Sequence, residues 1–196
     1  GKTALALAVA RGAAADFEHG VWWVDLAMLA DPAQVLPAVA AALGIELTRG
    51  DALRRLVSEL SDRHLLLVLD NCEHLVAEVV GIVEALIDAA ARVKVLATSQ
   101  EPLKTATEQL YRLDALALPP QGASLALAAG FGAFQLFERR AIASRQDFAL
   151  NEENVALAID ICRSLDGVPL AIEMAAARAC TLGVAGVHAR LGHRLR

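Results

Sequence analysis

The chain opens on Gly1-Lys2-Thr3, the last three letters of the phosphate-binding pattern G-x-x-x-x-G-K-[ST]. In that pattern the backbone N–H groups of a glycine-rich turn face phosphate oxygens. The lysine reaches the β and γ phosphates, and the hydroxyl residue binds Mg²⁺. The tripeptide alone says little, since it arises by chance in roughly one chain in ten of this length. Its meaning depends on what else the chain carries.

Asp70 is the second residue that could do chemistry. It ends "HLLLVLD" (His64–Asp70), an unbroken apolar run closed by an acid. A carboxylate at the C-terminal end of a buried parallel strand sits where open α/β sheets bind ligands. Hydrophobic residues followed by Asp also form the pattern that holds Mg²⁺ through water. A strand-end Asp is often only a helix cap, but Gly-Lys-Thr in the same chain favours the metal role. Thr98-Ser99-Gln100 closes the next apolar run. Polar groups there can touch a γ-phosphate or position water, or simply start a turn before Glu101-Pro102. Cys72-Glu73-His74 is not followed by a second ligand pair at zinc spacing.

The elements that must position these residues can be read from periodicity. Lys2 to about Ala14 is Ala/Leu-rich and helical in propensity. "VWWVDL" (Val21–Leu26) and "VKVLATS" (Val93–Ser99) read as strands. The run before Asp70 lacks alternation, as a strand buried on both faces does. Gln109–Leu116 is read as a further strand. Asp31-Pro32 supplies an N-cap and a first-turn proline, and Pro37 implies a break or a second start. Helices follow at Gly50-Asp51 and over Leu75–Arg92. Strand and helix alternating at this rhythm indicate a parallel α/β sheet.

The character changes at "LALPPQGAS" (Leu116–Ser124), where Pro119, Pro120 and Gly122 read as a linker. The expected division is an α/β core over 1–117, a linker over 118–124 and an all-helical domain over 125–196. One helix carries Phe134, Phe137 and Ala141 on one face. A second, capped by Asn151, carries Val155, Ile159 and Cys162. Gly167 stops it, and Pro169 starts a third with Leu170, Ile172 and Met174. These stripes read as core. The tail, His188–Arg196, reads as a solvated helix face.

Composition narrows the class. Of 196 residues 56% are hydrophobic, which suits one large domain or two small ones with a sizeable core. The net charge of −5 argues against gripping nucleic acid by overall charge. Three widely spaced cysteines read as reduced thiols of a cytoplasmic protein. No signal peptide or uninterrupted apolar span is legible, and no membrane partner is expected.

"GKTALALAVA", "GVWWVDLAML", "LLLVLDNCEHL", "VLATSQEPL" and "LDGVPLAIEMAAAR" occur in the order and wording of a known family. They resemble the nucleotide-binding module of the STAND class of P-loop NTPases, relatives of NB-ARC. The likeness is greatest to bacterial ATPase-type transcriptional regulators, including LuxR-type and SARP-type forms, and it covers nearly the whole chain. It implies a P-loop NTPase-type parallel sheet followed by an all-helical domain. It implies that Gly1 and Lys2 bind the phosphates of ATP or ADP and that Thr3 ligates Mg²⁺. Asp70 would be the Walker B carboxylate. Ser99 and Gln100 would occupy the sensor position, and Pro169 would pack near the adenine. In this class ADP holds a closed state and ATP favours an open one, a shift that rests on differential affinity.

The sequence departs from that family at three places. Gln100 stands where members often carry Arg, which removes a charge from the sensor position. Asn71 follows Asp70 where many P-loop ATPases carry the second acid that activates water, and an amide cannot accept that proton; Glu73 is the nearby substitute, with an ordinary acid in the first turn of a helix the favoured reading of it. The strand and glycine-rich turn that precede the Lys in P-loop folds lie outside the sequence, so the sheet is expected to lack its first strand and to expose unpaired edges. The expected function is an ATP/ADP-binding regulatory switch with slow or absent hydrolysis. Its DNA-binding part would lie outside this segment, and protein partners or self-association would complete it. The alternative is a degenerate scaffold that keeps the fold and binds no nucleotide.

Overall fold

A computed structural model describes residues 1–47 and 50–194, with backbone only for the last two of these. The expected tail face therefore lies partly outside the described residues. Three strands, β1 (Val21–Asp25), β2 (Leu65–Asp70) and β3 (Val93–Ala97), form one parallel sheet in the order β1-β2-β3. All six residues of β2 are buried, which explains the unbroken apolar run. Leu65, Leu67 and Leu69 face one core, while Leu66 and Val68 face the other.

The first face is covered by α2 (Val35–Ala42), α3 (Ala52–Leu60) and α4 (Val76–Ala89). Asp31 accepts a hydrogen bond from the Ala33 amide and caps a 3₁₀ turn over Pro32–Gln34. Pro37 then falls in the first turn of α2, where no intrahelical N–H is needed; it marks a second start. The opposite face carries α1 (Lys2–Gly12), whose Ala6 and Ala10 pack on Leu66 and Val68. Helix α1 turns its small residues inward and leaves Leu5, Leu7 and Val9 exposed. The parallel α/β sheet followed by a helical part agrees with the class read from the sequence.

The chain divides into two compact units, Gly1–Arg112 and Leu113–Arg196. The second holds α5 (Leu125–Ala128), α6 (Gly132–Ser144), α7 (Val155–Ser164) and α8 (Pro169–Arg194). Its core contains Phe134, Phe137 and Ala141 with Val155, Ile159 and Cys162, the stripes seen in the sequence. Asn151 accepts from the amides of Glu153 and Asn154 and caps the turn that leads into α7. Helix α8 lies against α6 and α7 and breaks at Gly183. By length and composition 169–192 would suffice to cross a membrane, but its face with Ile172, Ala176 and Ala179 is buried in this unit.

Two sequence readings need correction. Gln109–Leu116 forms no strand, and among the described residues β3 has no second strand neighbour. Leu110 and Tyr111 are exposed. The Leu116 amide donates to the Gly167 carbonyl instead, and Leu116 and Leu118 pack on the helical core. Proline at 119 and 120 ends any ladder there. Leu170 and Met174 are not core: they are 68% and 54% exposed, and the buried positions are Ile172, Ala175, Ala176 and Ala179.

Gly167 is required by two facts together. Its φ is +69°, and an added Cβ would lie 2.3 Å from the Leu116 carbonyl oxygen. Gly44 has a similar φ of +68° but open space around it. Gly44→Ala is expected to cost about 1 kcal/mol, the left-handed penalty alone. Gly167→Ala should cost well over about 2 kcal/mol, because backbone must move as well. Urea unfolding of both variants checks this, and equal losses would refute the steric account.

Candidate phosphate and metal corner at the strand ends

Parallel strands bring Asp25 and Asp70 opposite each other at the C-terminal ends of β1 and β2. Asp70 is 2% exposed. A buried carboxyl needs hydrogen-bond donors. Its Oδ1 accepts from Thr3 Oγ1 at 3.1 Å and, through a short bond, from Thr98 Oγ1. Its Oδ2 accepts from Asn71 Nδ2 at 3.4 Å. The same Asn71 amide donates to Asp25 Oδ1 at 3.1 Å, so it stands between two acids. Thr98 Oγ1 also accepts from the Asn71 amide N–H at 3.0 Å, which ties the end of β3 to the turn after β2.

Thr3 reaches Asp70 because α1 begins over the end of β2. The first N–H to bond within α1 is that of Leu5, to the Gly1 carbonyl, and no side chain caps the helix. The N–H groups of its first turn carry the partial positive charge of a helix start. Lys2 is exposed, and among the described residues no ion pair or hydrogen bond engages it. One end of the sheet therefore gathers a helix N-terminus, an unengaged ammonium, a hydroxyl and a buried carboxylate.

The other predicted residues separate. Gln100 Nε2 donates to Glu73 Oε1 at 2.9 Å, so these two side chains are together. Ser99 serves a local turn, its Oγ accepting from the Glu101 amide at 3.2 Å. Pro169 opens α8 in the second unit. Sequence reasoning missed Thr98, Asp25 and Asn71 as members of the network. Thr98 was legible as a polar residue at a buried strand end, and Asp25 as the acid closing β1. Asn71 was read only as a lost acid. Its φ of +62°, a conformation Asn tolerates, had no sequence signal beyond its type.

Mg²⁺ takes hard oxygen ligands and keeps several waters. Thr3 Oγ1 and Asp70 Oδ1 are such oxygens and lie within one hydrogen bond of each other, so the residues present fit that ion. Among the described residues no three His, Cys, Asp or Glu side chains form a metal-holding group. The rest of such an ion's shell would come from phosphate and water.

Cys72 lies beneath this corner, and its thiol is pushed up to about 12 by burial, with Glu73 and Asp70 adding repulsion. Burial alone pushes Cys162 up to about 12. Both thiols are free and inert at neutral pH. Because the folded values lie above the unfolded one, the stability they confer is complete below about pH 9 and fades towards pH 12. Alkylation at pH 8 should leave Cys72 and Cys162 unlabelled until denaturant is added. Asn71→Asp removes the bridging donor and sets a third carboxylate beside Asp25 and Asp70. A loss of about 1–3 kcal/mol in urea unfolding is expected, as for a buried acceptor left unsatisfied. A neutral result would show that the bridge does not matter.

No family model matches the chain. An uncharacterized protein of Mycobacterium tuberculosis H37Rv is 38% identical over 197 residues, covering all of this chain and 47% of that protein. An uncharacterized protein of Mycobacterium bovis matches to the same degree. A candidate HTH-type transcriptional regulator of M. tuberculosis H37Rv is 36% identical over 182 residues, covering 91% of this chain and 19% of the regulator. The chain thus spans about half the length of the first two relatives and about a fifth of the third.

Proposed function

We propose that this chain is an ATP/ADP-binding switch module of a bacterial transcriptional regulator. The observation that carries the reading is the 3.1 Å contact between Thr3 and Asp70, the two motif residues expected to share one Mg²⁺. They are far apart in sequence and independent in motif. The first-turn N–H groups of α1 and the unengaged Lys2 beside them suit polyphosphate. The resemblance to STAND-class, NB-ARC-like ATPases of LuxR-type regulators supplies the nucleotide, and the relative named as an HTH-type regulator supports the regulatory setting. Contact with DNA belongs to sequence outside this segment, and a cytoplasmic location goes with it.

In this reading Lys2 neutralises phosphate charge and α1 offers its first-turn N–H groups. Thr3 and Asp70 would hold Mg²⁺, and such an ion would supply neutralisation of phosphate charge. Hydrolysis is slow, because Asn71 cannot take a proton and Gln100 brings no positive charge. A slow reaction suits a switch whose two nucleotide states must each persist.

The test is titration of fluorescent ADP and ATP into the full-length polypeptide that carries this sequence, beside Lys2→Ala. Binding weakened at least about tenfold in the variant, a loss of about 1.4 kcal/mol, is expected. No binding by the folded wild type would instead favour a scaffold that keeps the fold without nucleotide.

A further inference from the structure

Helix α8 has two faces between its start at Pro169 and its break at Gly183. Ile172, Ala175, Ala176 and Ala179 are buried in the core of the second unit. Across the helix from them, at about 100° per residue, Leu170, Met174, Ala177 and Thr181 form one exposed line. Leu170 and Met174 are among the large apolar side chains that this chain leaves in water. Steps of four, three and four residues are the spacing of a heptad seam between two helices. The residues that flank the line are charged, Glu173 on one side and Arg178 on the other. They occupy the g position and the following e position of that heptad. In a parallel helix pair these two positions meet across the seam. In an antiparallel pair each charge would face its own kind. Arg178 is exposed, and among the described residues no ion pair or hydrogen bond engages it. Glu173 accepts from Arg140 Nη2 through Oε1 at 2.9 Å, and a carboxylate has capacity for a second donor at its other oxygen.

We propose that this line of α8 is a self-association surface, on which a second copy of the chain lays its own α8 in parallel and in register. Leu170, Met174, Ala177 and Thr181 then each meet their counterparts along the seam. Glu173 of each copy meets Arg178 of the other, so two-fold symmetry makes the ion pair twice. The charges select the occupant. An apolar line alone would accept any apolar helix, whereas an acid and a base at this offset complement the same helix laid parallel to itself. The line lies opposite the face that packs into the unit's core, so a second copy can reach it without unpacking α6 or α7. The seam is about three helical turns long and two of its four residues are small, so the pairing is weak by itself. Nothing in it depends on the nucleotide reading.

Disulfide trapping in the full-length polypeptide tests the seam. Cys180→Ala removes the half-buried thiol near it, and Cys72 and Cys162 are buried. In that background Leu170→Cys and Thr181→Cys should each give a linked dimer on mild oxidation, because parallel pairing sets each residue against its own counterpart. Ser144→Cys, exposed at the end of α6, should not. In an antiparallel pair on the same line Leu170 would lie about 16 Å along the axis from its counterpart, and only a mixture of the two variants would link. Met174→Glu should abolish linking through Leu170→Cys. Arg178→Glu sets acid against acid and should lower the linked yield about fivefold or more. Adding Glu173→Arg exchanges the pair and should restore most of that yield. Circular dichroism checks that each variant is folded. No link through either position, or a link in the mixture only, would overturn the proposal. So would a yield that Arg178→Glu leaves unchanged, or one that the exchanged pair does not raise above Arg178→Glu alone.

Discussion

The first unit is organised around one buried carboxylate. Asp70 ends the strand most deeply enclosed in the sheet, and taking an acid out of water is unfavourable unless donors replace the water. Three side chains do so, and they come from three places: Thr3 from the start of α1, Thr98 from the end of β3, and Asn71 from the turn after β2. Meeting the demand of one side chain therefore fixes where a helix begins, where a strand ends and how a turn is shaped. The inward face of α1 follows from the same requirement. Only a stripe as small as Ala6 and Ala10 lets the helix axis approach Leu66 and Val68 closely enough for Thr3 to reach the carboxylate. The large residues Leu5, Leu7 and Val9 are left outward, contrary to ordinary amphipathic patterning.

The same corner carries unbalanced charge. Asp25 and Asp70 face each other across the parallel ladder, and the group between them is a neutral amide. Like charges on adjacent strands are unfavourable, and a donor between them moderates the repulsion without removing it. A cation would remove it. This gives Asn71 a positive role in the fold that does not depend on catalysis. An acid at that position would add repulsion where the sheet already has most of it.

Much of this was legible in the sequence because burial leaves a strong signature. The unbroken run into Asp70 predicted a strand enclosed on both faces, and Pro37 marked a helix restart. Phe134, Phe137, Ile159 and Cys162 read as core from their spacing. The failures have physical causes. Gln109–Leu116 carries apolar residues as a short strand would, but strand identity depends on a neighbour to pair with, and pairing is not a local property. Leu170 and Met174 were placed in the core by type, whereas α8 packs through alanines and Ile172. At the strand-end corner, Thr3 and Asp70 were singled out because motifs fix them, and their side chains share a hydrogen bond. The bonds of Thr98 and Asn71 to Asp70 were not foreseen, because their part consists in completing another residue's hydrogen bonds, and periodicity carries no trace of that.

If the chain works as a nucleotide switch, its specificity must come from a small difference. ATP and ADP differ by one phosphoryl group, and a ligand shifts an equilibrium only by its differential affinity for the two states. A charged sensor would supply that difference by direct attraction, and Gln100 cannot. What remains is Lys2 with the first-turn N–H groups of α1. A γ-phosphate adds charge that Lys2 favours, and one exposed ammonium is the whole of that term. So small a term gives modest preference between the two nucleotides. With hydrolysis slow or absent, such a switch would be set by the supply and exchange of the two nucleotides rather than by a strong preference of the site for either.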